Sequence, residues 1–157
     1  KKDHGVFFFD VSDGQTSVGQ NNSCFNTYEA IALVEITEQL LENGFKAENI
    51  AIITPYREQA HEISRSFNIF DHPYIGTINE VQGLEFDIVL FSAVRTDQFG
   101  FLDSPKLNVA LSRAKYLLVI FGNEQFLTND LDWRNLIAYT VQENAYQSYV
   151  SSNFKMF

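Results

Sequence analysis

The hydrophobic positions of this chain come in short blocks separated by polar segments, several of which repeat at helical period. "GVFFFD" is an apolar run closed by the turn residues of "VSDG", the pattern of a buried strand. The polar stretch "GQTSVGQNNS" then reads as a surface loop. Asn26 stands as an N-cap with Glu29 three residues on, as in a capping box, and "AIALVEITEQLLENG" runs at helical period to a stop at Gly44. "NIAIITPY" predicts a second strand, "REQAHEISRSF" a second helix and "YIGTI" a third strand. After the polar connection "NEVQGLE", "FDIVLFSAVR" is almost continuously apolar, as in a strand covered on both faces. "TDQFGFLDS" predicts a loop, Pro105 suits a first helical turn, and "KLNVALSRAK" predicts a helix running into the strand "YLLVIFGN". "WRNLIAYTVQENAY" predicts a last helix and "SSNFKMF" a tail, extended from about residue 145.

Strands alternating with helices imply an α/β domain: a mostly parallel sheet in three layers, with helices on both faces. The 157 residues, 45% hydrophobic, suffice for one domain with a real core, so 1–157 is expected to be a single unit. No apolar run approaches the ~18 to 20 residues of a membrane helix, and the first apolar stretch is too short for a signal peptide. No membrane role is expected. Cys24 is alone, so an intrachain disulfide is impossible and a reducing, intracellular compartment is expected, cytoplasmic or nuclear. His4, His61 and His72 form no metal-ligand pattern, and no protein-ligated metal is expected. The net charge of -9 excludes a domain that grips nucleic acid through a broad basic face; any such contact must be local or shared.

Two motifs are decoys. "GQTSVGQN" has the glycine spacing of a phosphate-binding P-loop, but Gln20 and Asn21 replace the lysine and hydroxyl residue that hold phosphates and magnesium. "VFFFD" imitates the apolar run ending in a magnesium-binding aspartate, yet a strand that happens to end in Asp10 is the commoner explanation. Neither makes the chain a complete ATPase.

Ligands of open parallel sheets bind outside the carboxyl ends of the strands. The predicted elements assign "TPYREQ", "TINEVQGLE", "AVRTD" and, through the following helix, "SRAK" to those positions. At 100° per residue the helix from Leu107 puts Leu107, Ala110, Leu111 and Ala114 on one core stripe, with Arg113 opposite, beside Val109. Arg113 is then either a solvated cation near a helix C-terminus, favoured there by ~0.3 to 1 kcal/mol, or a group aimed at a phosphate.

"GTINEVQGLEFDIVLFSAVR" followed by "GFLDSPKLNVALSRAKYLLVIFGN" resembles motifs V and VI of superfamily 1 helicases, in the branch of the nonsense-mediated-decay RNA helicase. "IAIITPYREQ" resembles their motif IV and "SCFNTYEA" the segment opening the helix before it, so the likeness runs from about Val6 to Asn123. The resemblance implies a RecA-like (P-loop NTPase-like) fold and the second motor domain of a two-domain helicase. ATP and Mg2+ would bind only together with a first RecA-like domain. Arg113 would be the arginine finger, a planar permanent cation of a kind worth ~10³ to 10⁵ in rate. Gln82, Gly83, Glu85 and Lys115 would join it on the nucleotide side. Thr54, Pro55, Tyr56, Thr77, Asn79 and Arg95 would touch the backbone of single-stranded RNA or DNA, with Arg57 a further candidate.

Neutral hydroxyls and backbone N–H groups hold phosphates without reading sequence, which suits both a stepping motor and an acidic domain. Asn79 and Val81 stand where many relatives have aspartate and phenylalanine. The motifs of a first domain and the family's tyrosine–arginine motif are absent, so the chain reads as an excised fragment, inactive alone. The competing reading is a RecA-like domain without catalysis that binds regulatory proteins; a third is a free-standing domain that binds a small nucleotide.

Overall fold

A computed structural model describes residues 5–67, 72–81, 83–103 and 105–149. Among the described residues, eight strands and five α-helices follow in order: β1 (Gly5–Asp10), β2 (Ser17–Val18), β3 (Cys24–Phe25), α1 (Thr27–Glu42), β4 (Ile50–Thr54), α2 (Arg57–Arg65), β5 (Tyr74–Thr77), β6 (Phe86–Ser92), α3 (Pro105–Leu111), β7 (Ala114–Gly122), α4 (Glu124–Leu127), α5 (Leu131–Gln142) and β8 (Tyr146–Ser148). Six of the strands form one sheet in the order β5-β4-β6-β7-β1-β8, and every pairing in it is parallel. The small β2–β3 pair is antiparallel.

The apolar runs of β1, β4, β6 and β7 are central because both their faces are covered. Along β6, Ile88 and Leu90 join the core with Leu33, Ile36 and Leu40 of α1 and Ile63 of α2. The alternate residues Val89 and Phe91 join the opposite core with Leu107 and Ala110 of α3 and Trp133 and Ile137 of α5. The result is the three-layer, parallel α/β arrangement of a RecA-like domain, as the alternation of elements implied.

Several boundaries differ from the sequence-based expectation. The helix expected to include Arg113 and Lys115 stops at Leu111. Ser112 and Arg113 form a turn, and Ala114 already pairs with Phe86 in the sheet, so strand pairing overrides the helical propensity of "SRAK". The strand expected through Arg95 ends at Ser92, because the backbone at Val94 turns to φ 69°. The polar stretch after Gly14 carries the β2 strand and part of its hairpin with β3, and the segment around 146–148 adds a strand beside β1. "SSNFKMF" lies outside the described residues.

Burial of both faces of β6 has a measurable consequence. Leu90→Ala and Phe91→Ala, which open cavities in opposite layers, are each expected to destabilise the fold by ~2 to 5 kcal/mol in urea melts. A near-neutral effect of either would mean that one face of the strand is not packed.

Candidate functional site

Because all six strands run the same way, residues that follow strands collect at one edge of the sheet and residues that precede them at the other. Thr54 ends β4 and is followed by Pro55 and Tyr56, Thr77 ends β5 with Asn79 beyond it, and Arg95 follows β6, so these lie at the carboxyl edge. Ile78 N–H donates to the Thr54 carbonyl at 3.1 Å, which joins the first two groups. Glu85 immediately precedes β6 and Arg113 immediately precedes β7, so both lie at the amino edge. This corrects the expectation that "QGLE" and "SRAK" would sit with the others at the carboxyl ends. The reason is the connection from β5 to β6: it crosses the sheet without a helix, burying Ile78 and Val81 in the core beneath α3 and α5.

At the amino edge, the Phe86 N–H donates to the Arg113 carbonyl at 3.0 Å, so the backbones carrying Glu85 and Arg113 are adjacent. Arg113 is half-buried. Its Nε donates to the Val109 carbonyl at 3.1 Å and its Nη2 to the Ser112 hydroxyl at 3.1 Å. The guanidinium thus caps the carbonyl end of α3, where helix termini leave acceptors unsatisfied. Lys115 is exposed near the start of β7, and Gly83 takes a positive φ of 81° in an exposed turn. Gln82 lies outside the described residues.

At the carboxyl edge the candidates are mostly built into the protein. Thr54 is fully buried, its hydroxyl accepting from Tyr56 N–H at 3.4 Å, and the Thr77 hydroxyl donates to Glu80 at 3.1 Å. Pro55 and Tyr56 are buried, whereas Asn79 and Arg57 are exposed. Arg95 is 8% exposed. Its guanidinium lies over the Tyr56 ring at 5.8 Å, with Nη1 at 3.5 Å from the Tyr56 hydroxyl and 3.4 Å from Cys24 Sγ. Phe101, which is exposed, meets the Tyr56 ring edge-on at 5.7 Å.

Beneath this edge lies a buried polar cluster. Asn26 caps α1 as expected, its side chain accepting from Glu29 N–H at 3.1 Å. The Glu29 carboxylate does not return to the Asn26 N–H as a capping box would have it; Gln59 Oε1 accepts that N–H instead. Glu29, fully buried, accepts from Ser92 Oγ at 2.8 Å, Val94 N–H at 2.9 Å and Asn26 Nδ2 at 3.1 Å. Asn26 Nδ2 also donates to the Val94 carbonyl at 3.1 Å.

Both backbone groups of Val94 are therefore gripped by the start of α1. Val94 is a β-branched residue at φ 69°, and the Arg95 N–H reaches back to the Ala93 carbonyl at 2.7 Å, closing a strained γ-turn. Such a turn persists only where the surroundings over-determine it. The Glu29–Asn26 clamp does so, and it fixes where Arg95 leaves the sheet. Sequence reasoning took Glu29 only as a capping residue. The available signal was helical spacing, which sets Glu29 on the same stripe as Leu33, Ile36 and Leu40.

Among the described residues no group of three or more His, Cys, Asp or Glu side chains is arranged to hold a metal ion. Among them, too, no helix is long and apolar enough to cross a membrane.

Sheet order and paired edges define an α/β domain of the RecA-like class. Residues 1–125 match the AAA domain family, and the chain belongs to it. The chain is 36% identical over 156 residues to a "Probable RNA helicase armi" of Drosophila melanogaster, covering 91% of this chain and 13% of that protein. It is 36% identical over 143 residues to a "Regulator of nonsense transcripts 1 homolog" of the same fly, covering 83% of this chain and 12% of that protein. A "Putative helicase MOV-10" of Gallus gallus is 31% identical over 172 residues, covering 92% of this chain and 18% of its own length. These relatives bear out the resemblance to superfamily 1 helicases of the nonsense-mediated-decay branch. The chain spans less than a fifth of the length of each.

Burial raises the Glu29 carboxyl from an ordinary 4.5 to about 7, although hydrogen bonds from Val94, Ser92 and the Ala93 backbone pull it down. The native state thus holds this proton more tightly than the unfolded chain. The stability contributed by neutral Glu29 is complete below pH 4.5 and is lost as the pH rises through about 7. Measured by urea melts, the stability of the wild type relative to Glu29→Gln is expected to fall by up to ~3 kcal/mol across that window. A flat difference would show that Glu29 is ionised throughout.

Proposed function

We propose that this domain is the second motor domain of an ATP-dependent nucleic-acid helicase, working with a first RecA-like domain that supplies the P-loop and the magnesium ligands. The observation that carries the reading is the division of the motif residues between the two edges. Glu85 and Arg113 flank one backbone step between β6 and β7, while Thr54, Tyr56, Thr77 and Arg95 gather at the opposite edge. One edge is then free to face a nucleotide while the other faces a strand.

When bound between the two domains, magnesium-ATP would supply a transferable terminal phosphoryl group. The residues on hand fit that role in kind: Arg113 is a permanent, forked cation, half-buried at the rim of the sheet, with Glu85 and Lys115 beside the same strands. Arg113 would exchange the Val109 carbonyl and the Ser112 hydroxyl for phosphate oxygens as the domains close. Closure of this kind couples a nucleotide to a strand because the cleft contacts exist in one state only. At the carboxyl edge, exposed Asn79 and Arg57 and the backbone after β4 and β5 would meet the sugar-phosphate chain of single-stranded RNA or DNA.

One observation favours the rival reading of a non-catalytic, protein-binding module: Arg113 is engaged with its own helix end. The two readings part on a single measurement. In the full-length protein, Arg113→Ala is expected to lower strand-stimulated ATP hydrolysis by ~10³ or more while leaving the melting temperature within a few degrees. Unchanged hydrolysis would remove the finger assignment and leave the interaction module.

A further inference from the structure

Arg95 is held as firmly as a side chain in a site, yet its outer edge faces an acid of its own chain. The guanidinium is fixed from within by the Tyr56 ring, the Tyr56 hydroxyl and Cys24 Sγ, and its backbone is fixed by the γ-turn at Val94. The remaining edge, Nε and Nη2, donates two parallel hydrogen bonds to the carboxylate of Asp97, at 2.8 Å and 3.1 Å. Gln98 N–H donates to the same carboxylate at 3.0 Å. The Thr16 hydroxyl adds to these donors, and together they hold the Asp97 carboxyl below its ordinary range, with Arg95 the largest cause.

The two partners differ sharply in exposure. The Arg95 side chain is 9% exposed, while that of Asp97 is 55% exposed, so Asp97 covers the fork from the solvent side. Rotating one short side chain outward would open the guanidinium without moving Arg95, Tyr56 or the turn. A guanidinium fork donates to two phosphate oxygens in the same geometry as to two carboxylate oxygens.

We propose that the Arg95 fork is a seat for one phosphodiester of a bound single strand, and that Asp97 occupies it as an internal stand-in until a strand arrives. The inference rests on the nucleic-acid reading above. It accounts for a cation at the carboxyl edge of a domain with net charge -9 that is paired within its own chain. It also makes this phosphate contact an exchange rather than a simple addition: the strand gains the fork as Asp97 returns to water. Such a contact adds little net affinity, which suits a grip that must be released at every step.

The test uses the full-length protein and a fluorescently labelled oligouridylate, with affinity measured by anisotropy over a salt series. Asp97→Ala is expected to tighten binding several-fold and to steepen the dependence of log affinity on log salt by about 0.7, the increment for one more phosphate neutralised on a single strand. Asp97→Asn, which keeps the shape of the side chain, is expected to move both quantities in the same direction. In an Arg95→Gln background, Asp97→Ala should do neither. A gain that persists without Arg95 would reduce Asp97 to a repelling surface charge and overturn the seat. Unchanged or weaker binding by both Asp97 variants would make the pair a structural strut and overturn it as well. If the wild type binds no oligonucleotide at all, the nucleic-acid reading fails first, and the seat with it.

Discussion

A sheet in which every strand points the same way has two chemically different edges, and much of what distinguishes this domain follows from that constraint. Parallel pairing sends each connection back across a face, so both faces must be covered and the strands become continuously apolar. Polar chemistry is then confined to the rims. The helix-less crossing from β5 to β6 carries the chain from one rim to the other within a single motif. This is why Thr77 and Glu85, a few residues apart in sequence, lie at opposite edges of the sheet.

The carboxyl rim depends in turn on an acid that never reaches the surface. Glu29 sits on the apolar stripe of α1 and offers its carboxylate to a backbone N–H, a hydroxyl and an amide. A buried carboxyl is costly to ionise, and here burial outweighs the donors that favour the charged form. The gain is geometric. Without a clamp on Val94 a β-branched residue would relax out of the left-handed region, and the residues beyond it would lose their direction.

Much of this was legible in the sequence. The apolar runs gave the strands, the Asn26 cap and the Gly44 stop bounded the first helix, and the order of motifs pointed to the family. The less legible parts share one physical cause, which is competition between local preference and distant partners. "SRAK" favours helix locally, but Ala114 finds a strand partner in Phe86, and the helix ends early. Glu29 reads as a cap because a capping box is a local pattern, whereas its partners Ser92 and Val94 lie more than sixty residues away. Arg95 reads as an open phosphate contact because nothing in "AVRTD" says that the aspartate two residues on turns back to meet it.

The short strand β8 has a consequence for the edge of the sheet beside β1. The family match ends at residue 125, yet Tyr146, Gln147 and Ser148 pair with Phe8, Phe9 and Asp10. A chain trimmed to the matched segment would leave "FFFD" with a bare row of backbone donors and acceptors along one side. Three successive phenylalanines in such a row are a template for self-association. Strand β8 covers that edge of β1 from Phe8 to Asp10, so the sheet is completed by residues beyond the matched segment.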